Sequence, residues 1–128
     1  MRKISIGLML LALALPAIVW SGDDPSIPKE DKAKIQAAMD THIQGLSDKK
    51  GLPVFDHKAQ AVVHLKFKEL HSGVAKKGDY FVSCADFIDS AGTLYDIDLL
   101  ARPSGDQYMI VESFVHKKGG EKFPYEVK

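Results

Sequence analysis

The chain has 128 residues, room for one domain, and its 17 basic residues balance 17 acidic ones. That balance leaves no basic face of the kind nucleic acid requires, so nucleic acid is excluded as a partner. Cys84 is the one cysteine, so no disulfide forms within the chain; it is either buried as a small apolar residue or paired between chains.

The first 21 residues read as a secretory leader. Arg2 and Lys3 form a positive start, Ile4 to Val19 is uncharged, and Ser21, Gly22, Asp23 and Asp24 close the run. Val19 and Ser21 supply the small residues that place cleavage after Ser21. The apolar run is about 16 residues and contains Pro16, short of the roughly 20 that a spanning helix needs. A periplasmic or secreted location is expected, with no stable membrane insertion after cleavage. Removing the leader leaves a net charge of about −2.

Residues 22–27 read as a linker, and 28–128 as a single α+β domain. A helix is expected from Pro28, which suits a first turn, with Glu30 and Asp31 at the positive end of the helix dipole. Ile35, Ala38, Met39, Ile43 and Leu46 recur at helical spacing on one face. Asp48 to Pro53 reads as a loop. Strands are expected over Val62–His71, Tyr80–Asp89, Thr93–Ala101 and Gln107–Lys117. A short edge strand is expected over Lys122–Val127, since Pro124 fits only an edge. The loops Ser90 to Gly92 and Pro103 to Gly105 resemble three-residue hairpin turns with glycine in the left-handed position, and Lys76 to Gly78 reads as another. No connection is long enough for a crossover, so neighbouring strands are antiparallel. The expected architecture is one N-terminal helix packed on a four- to five-stranded antiparallel meander.

Alternation sorts the side chains. Phe81, Ser83, Ala85 and Phe87 share a face with Tyr95, Ile97, Leu99 and Ala101, and with Met109, Val111, Ser113 and Val115. This apolar face should receive the helix. The opposite face mixes Cys84, Asp86, Asp96, Asp98 and Glu112 with Tyr80, Tyr108, Phe114 and His116. Loop lengths set Asp86 against Asp96, Cys84 against Asp98, Lys68 against Asp86, and Asp96 against Glu112. One rung then reads Lys68, Asp86, Asp96, Glu112. Like charges directly opposite one another cost a few tenths to about 1 kcal/mol per pair. Either nearby lysines and solvent neutralise the rung, or it meets a cation or a basic partner. The candidate binding face is therefore Lys68, Asp86, Asp96, Asp98, Tyr108, Glu112, Phe114 and His116. Its aromatic residues could also pair two copies of the chain as a homodimer.

Catalytic and cofactor signals are absent from the sequence. There is no phosphate-binding loop, dinucleotide glycine pattern, nucleophile elbow or calcium loop. His57, His64 and His71 recur every seven residues, which alternates faces on a strand and gives no convergent metal set. His116 with Asp86 or Asp89 could act as a general base, but no nucleophile accompanies it. Asp86 and Asp98 flank Cys84 and would weaken it as a nucleophile.

The order of elements resembles the cystatin-like and nuclear-transport-factor-like rolls, in which a helix lies in a curved antiparallel sheet. The resemblance is topological and carries no motif. The cystatin signature Gln-x-Val-x-Gly is replaced at the corresponding turn by Val74-Ala75-Lys76-Lys77-Gly78, and Trp20 lies in the leader. Fold alone does not assign function. The expectation is an exported, non-catalytic binding module without a cofactor, acting through the open sheet face on an unidentified protein or small ligand. A small-ligand or cation-binding protein is the alternative, and a hydrolase-like enzyme centred on His116 is the next.

Overall fold

The computed structural model describes residues 22–124 and 127–128. The leader expected over 1–21 lies outside the described residues, as does Tyr125.

Helix α1 spans Lys29–Leu46, with Pro28 as its N-cap residue and Glu30 and Asp31 in the first turn. Ile35, Met39 and Ile43 are its buried residues. Their spacing of four keeps them on one face. The helix ends where Ser47 N–H donates to the Ile43 carbonyl.

Among the described residues, six strands follow in an antiparallel meander whose spatial order is the chain order. They are β1 (Leu52–Asp56), β2 (Ala61–Lys77), β3 (Tyr80–Ile88), β4 (Leu94–Ser104), β5 (Gln107–Lys118) and β6 (Glu121–Lys122). The α+β meander expected from the sequence is the observed architecture. The strand count rises to six because β1 occupies part of the stretch read as a loop. Leu52, Val54 and Asp56 point inward there and Pro53 and Phe55 outward. Pro53 sits opposite His64 on this edge strand, a position where a missing N–H is tolerated. Among the described residues the expected edge strand at the C-terminus is limited to β6, after which Phe123 turns into the core, only 2% exposed.

β2 is longer than expected because two irregularities bend it without breaking it. They fall between Phe67 and Glu69 and between Leu70 and Val74. Extra residues of this kind raise local twist and curl a sheet. The curl brings β1 back against β5. Lys58 at the β1–β2 turn pairs with Glu121 at 2.6 Å and lies 4.7 Å from the centroid of the Phe123 ring. The helix packs on the inner side of the curl. Ala85, Phe87, Tyr95, Ile97, Leu99, Ala101 and Val115 meet it there, as the alternation predicts.

The inner face of β5 departs from that expectation. Met109 and Val111 are exposed, while Tyr108 and Ile110 pack against the core. The chain turns over Gly105 and Asp106 rather than over Pro103 to Gly105, so Ser104 faces Gln107. The shorter turn and a register shift between Leu100 and Ala101 reassign the faces of the strand. Among the described residues, no helix is long and apolar enough to cross a membrane.

Candidate functional site

The outer face of β2, β3, β4 and β5 gathers His71, Cys84, Asp86, Asp96, Asp98 and His116. The β3–β4 hairpin builds its centre. Asp89 N–H donates to the Thr93 carbonyl and closes the expected three-residue loop, with Gly92 at φ +82°. From there the register runs as predicted: Asp86 faces Asp96, and Cys84 faces Asp98.

The flanking strands differ from the predicted rung. The extra residue at the first irregularity of β2 is Lys68, so Glu69 takes the place opposite Asp86, and Lys68 stands exposed outside the ladder. On the other side, the shifted β4–β5 register puts Lys117 opposite Asp96 and Leu100 opposite Glu112. Lys122 in turn faces Lys117. The rung therefore reads Glu69, Asp86, Asp96, Lys117, Lys122. Lys68 and Glu112 leave the cluster, and Glu112 instead lines a groove between β1 and β5 with Phe55 and Phe114. Tyr108 leaves too. It lies on the helix side, edge-on to Phe81 with ring centroids 5.4 Å apart, and burial together with the nearby Asp31 carboxylate pushes its hydroxyl pKa up. Phe114 faces Asp98 across the ladder.

His71 is the residue that the histidine spacing set aside and that the candidate face did not include. In the predicted register it would point to the helix side. The extra residue at Lys68 shifts β2 by one position, which flips every later side chain to the other face. His71 thereby reaches Asp86, with Nε2 2.9 Å from Oδ1. A lysine-flanked run broken by a bulge has no distinct sequence signature, so only the fold reveals it.

Hydrogen bonding links the rest. Cys84 Sγ donates to Asp98 Oδ1 at 2.8 Å, and His116 Nδ1 lies 2.8 Å from Asp98 Oδ2. Asp98 is buried, and these contacts occupy both its oxygens. Asp96 differs: its Oδ1 is buried without a hydrogen-bond partner. Burial pushes the Asp96 carboxyl above its usual range; the neighbouring His71 pulls it down and Asp98 pushes it up again. Burial raises the Cys84 thiol strongly, and the Asp98, Asp96 and Asp86 carboxylates raise it further. The thiol therefore stays protonated at neutral pH and is a poor nucleophile. His71, Cys84 and Asp96 each offer a ligand atom, and these atoms lie within 4.8 Å of one another.

Comparison with protein-family models, with curated proteins and with solved structures returns no match. The chemistry of this face therefore rests on its own residues.

Proposed function

We propose that this chain is an exported, non-catalytic binding protein whose working surface is the outer sheet face around Asp86, Asp96 and Asp98, and that this surface takes a cation. One observation carries the reading. Asp96 faces another carboxylate across the ladder while its Oδ1 is buried and unpartnered. An unsatisfied buried oxygen costs about 1–3 kcal/mol, and a like-charged pair adds to that cost. Local costs of this kind are kept where function needs them. A cation satisfies both at once.

The thiol argues for binding over catalysis, because burial and three carboxylates oppose its ionisation. His116 is engaged with Asp98, and among the described residues no hydroxyl is hydrogen-bonded to it. Export, to the periplasm or beyond the cell, follows from the leader over residues 1–21.

The melting temperature of the metal-free protein tests the reading. Asp96→Asn and Asp96→Thr should both melt above the wild type at pH 7, by roughly 3 °C, because each removes a charge whose ligand is absent. If neither variant melts higher, the face is not held for a cation and the reading fails.

A further inference from the structure

We propose that the ligand is a divalent transition metal of the zinc class, held by His71, Cys84 and Asp96; this rests on the outer face being the binding surface. The three residues come from adjacent strands β2, β3 and β4, and their ligand atoms lie within 4.8 Å of one another. A tetrahedral zinc with bonds of about 2.0–2.3 Å needs its ligand atoms about 3.5 Å apart. The widest pair must therefore close by up to about 1.3 Å as the metal binds.

The donor set decides the class. One nitrogen, one sulfur and one oxygen suit zinc and its neighbours, whereas calcium and magnesium take oxygen ligands. A thiolate and a carboxylate together carry the two negative charges that offset a divalent ion. As the metal–sulfur bond forms, the Cys84 S–H bond breaks and its proton leaves to bulk water. The metal also supplies the missing partner of the Asp96 carboxylate.

An outer ring is in place around these ligands. Asp86 Oδ1 lies 2.9 Å from His71 Nε2 and holds the ring. Asp98 accepts the Cys84 S–H hydrogen bond at one oxygen until that proton leaves and pairs with His116 at the other. A carboxylate behind a ligating histidine, as Asp86 stands behind His71, orients it in this way. A cavity of about 530 Å³ opens beside the site, with His71 and Cys84 among its lining residues and Gly22, Asp23 and Glu69 on its other walls. Three protein ligands leave a fourth position for water.

The full chain, produced with export and purified free of metal, is titrated with Co²⁺ and then with Zn²⁺ in competition. One metal should bind per chain, with a thiolate-to-cobalt charge-transfer band in the near ultraviolet. Cys84→Ser should abolish the band. His71→Ala and Asp96→Asn should each weaken zinc binding by at least about tenfold, and His64→Ala, on β2 away from the cluster, should leave it unchanged. Zinc should raise the melting temperature of the wild type more than that of Asp96→Asn. A missing charge-transfer band, or equal zinc affinity in wild type and His71→Ala, overturns the metal assignment. If in addition metal-free Asp96→Asn melts above wild type, the cation-binding face survives that failure. If neither it nor Asp96→Thr does, the face falls as well.

Discussion

Asp98 faces Cys84 across the β3–β4 ladder and divides its oxygens between two partners, the Cys84 thiol at 2.8 Å and His116 Nδ1 at 2.8 Å. The contact ties the thiol proton to a carboxylate inside a half-buried face. Burial and then the Asp98 charge make ionisation unfavourable, and only the thiolate reacts. Cys84 in the folded chain should therefore react with an aromatic disulfide reagent at pH 8 at least about tenfold more slowly than in denaturant. Asp98→Asn, which removes the charge and keeps the shape, should speed the reaction. Equal rates in folded and denatured protein would show that the thiol is not held in this way.

The centre of this cluster was legible in the sequence, and its borders were not. Asp86 and Asp96, and Cys84 and Asp98, are paired by one hairpin loop whose glycine fixes the count. The next hairpin offered two turns of similar composition. The chain uses Gly105 and Asp106, so Arg102 faces Met109 instead of Asp106. Further shifts between Leu100 and Ala101 and between Asp96 and Ile97 carry Lys117 to the place expected for Glu112. On β2 the single extra residue at Lys68 exchanges Lys for Glu opposite Asp86 and delivers His71. Bulges are set by the curl that closes the sheet around α1. That is a tertiary demand, and it leaves no mark in local alternation. β1 was hidden for a different reason. Pro53 and the charged run before it read as a loop, and an edge strand tolerates both.

Asp56 is a second acidic residue with a structural role. It is fully buried at the end of β1, accepting from the Lys58 and Ala59 N–H groups, each at 3.0 Å. Lys118 Nζ lies 3.2 Å from its other oxygen, and Tyr95 Oη lies 3.4 Å away. Burial alone pushes its carboxyl up, but the Ala59 N–H, Lys118 and the Lys58 N–H outweigh burial and hold it below the ordinary 3.8. A depressed folded value means the group stabilises the fold above the unfolded value and stops doing so as pH falls through the folded one. Asp56→Ala should cost roughly 3 kcal/mol at pH 7. That deficit should shrink below about pH 4. Urea denaturation at both pH values checks it, and a deficit that stays constant in acid would remove the charge from the explanation.

Gly51 sets the start of β1 through backbone contact. Its φ is +115°, and a Cβ there would lie 2.3 Å from the Leu65 carbonyl oxygen. Gly105 also has positive φ, at +61°, but open space around it. Gly51→Ala should therefore cost about 3 kcal/mol, from strain and collision together. Gly105→Ala should cost about 1 kcal/mol, from strain alone. Equal losses in thermal melts of the two variants would mean that the close approach to Leu65 does not govern β1.

Asp96 should behave in the opposite sense to Asp56. Burial raises its folded pKa, with His71 opposing and Asp98 reinforcing the rise. For a carboxyl raised on folding, ionisation opposes the fold. The cost is fully present above the folded value and disappears as pH falls below the unfolded one. The stability gained by Asp96→Asn in metal-free buffer should be a few tenths to about 1 kcal/mol at pH 7, and it should decline toward zero below about pH 4. Urea denaturation of wild type and variant across that range measures the difference directly. A gain that did not change with pH would trace to packing or to strand propensity, since neither titrates. A gain that fades in acid identifies charge as the cost, and charge is the property of this carboxylate that a bound cation would offset.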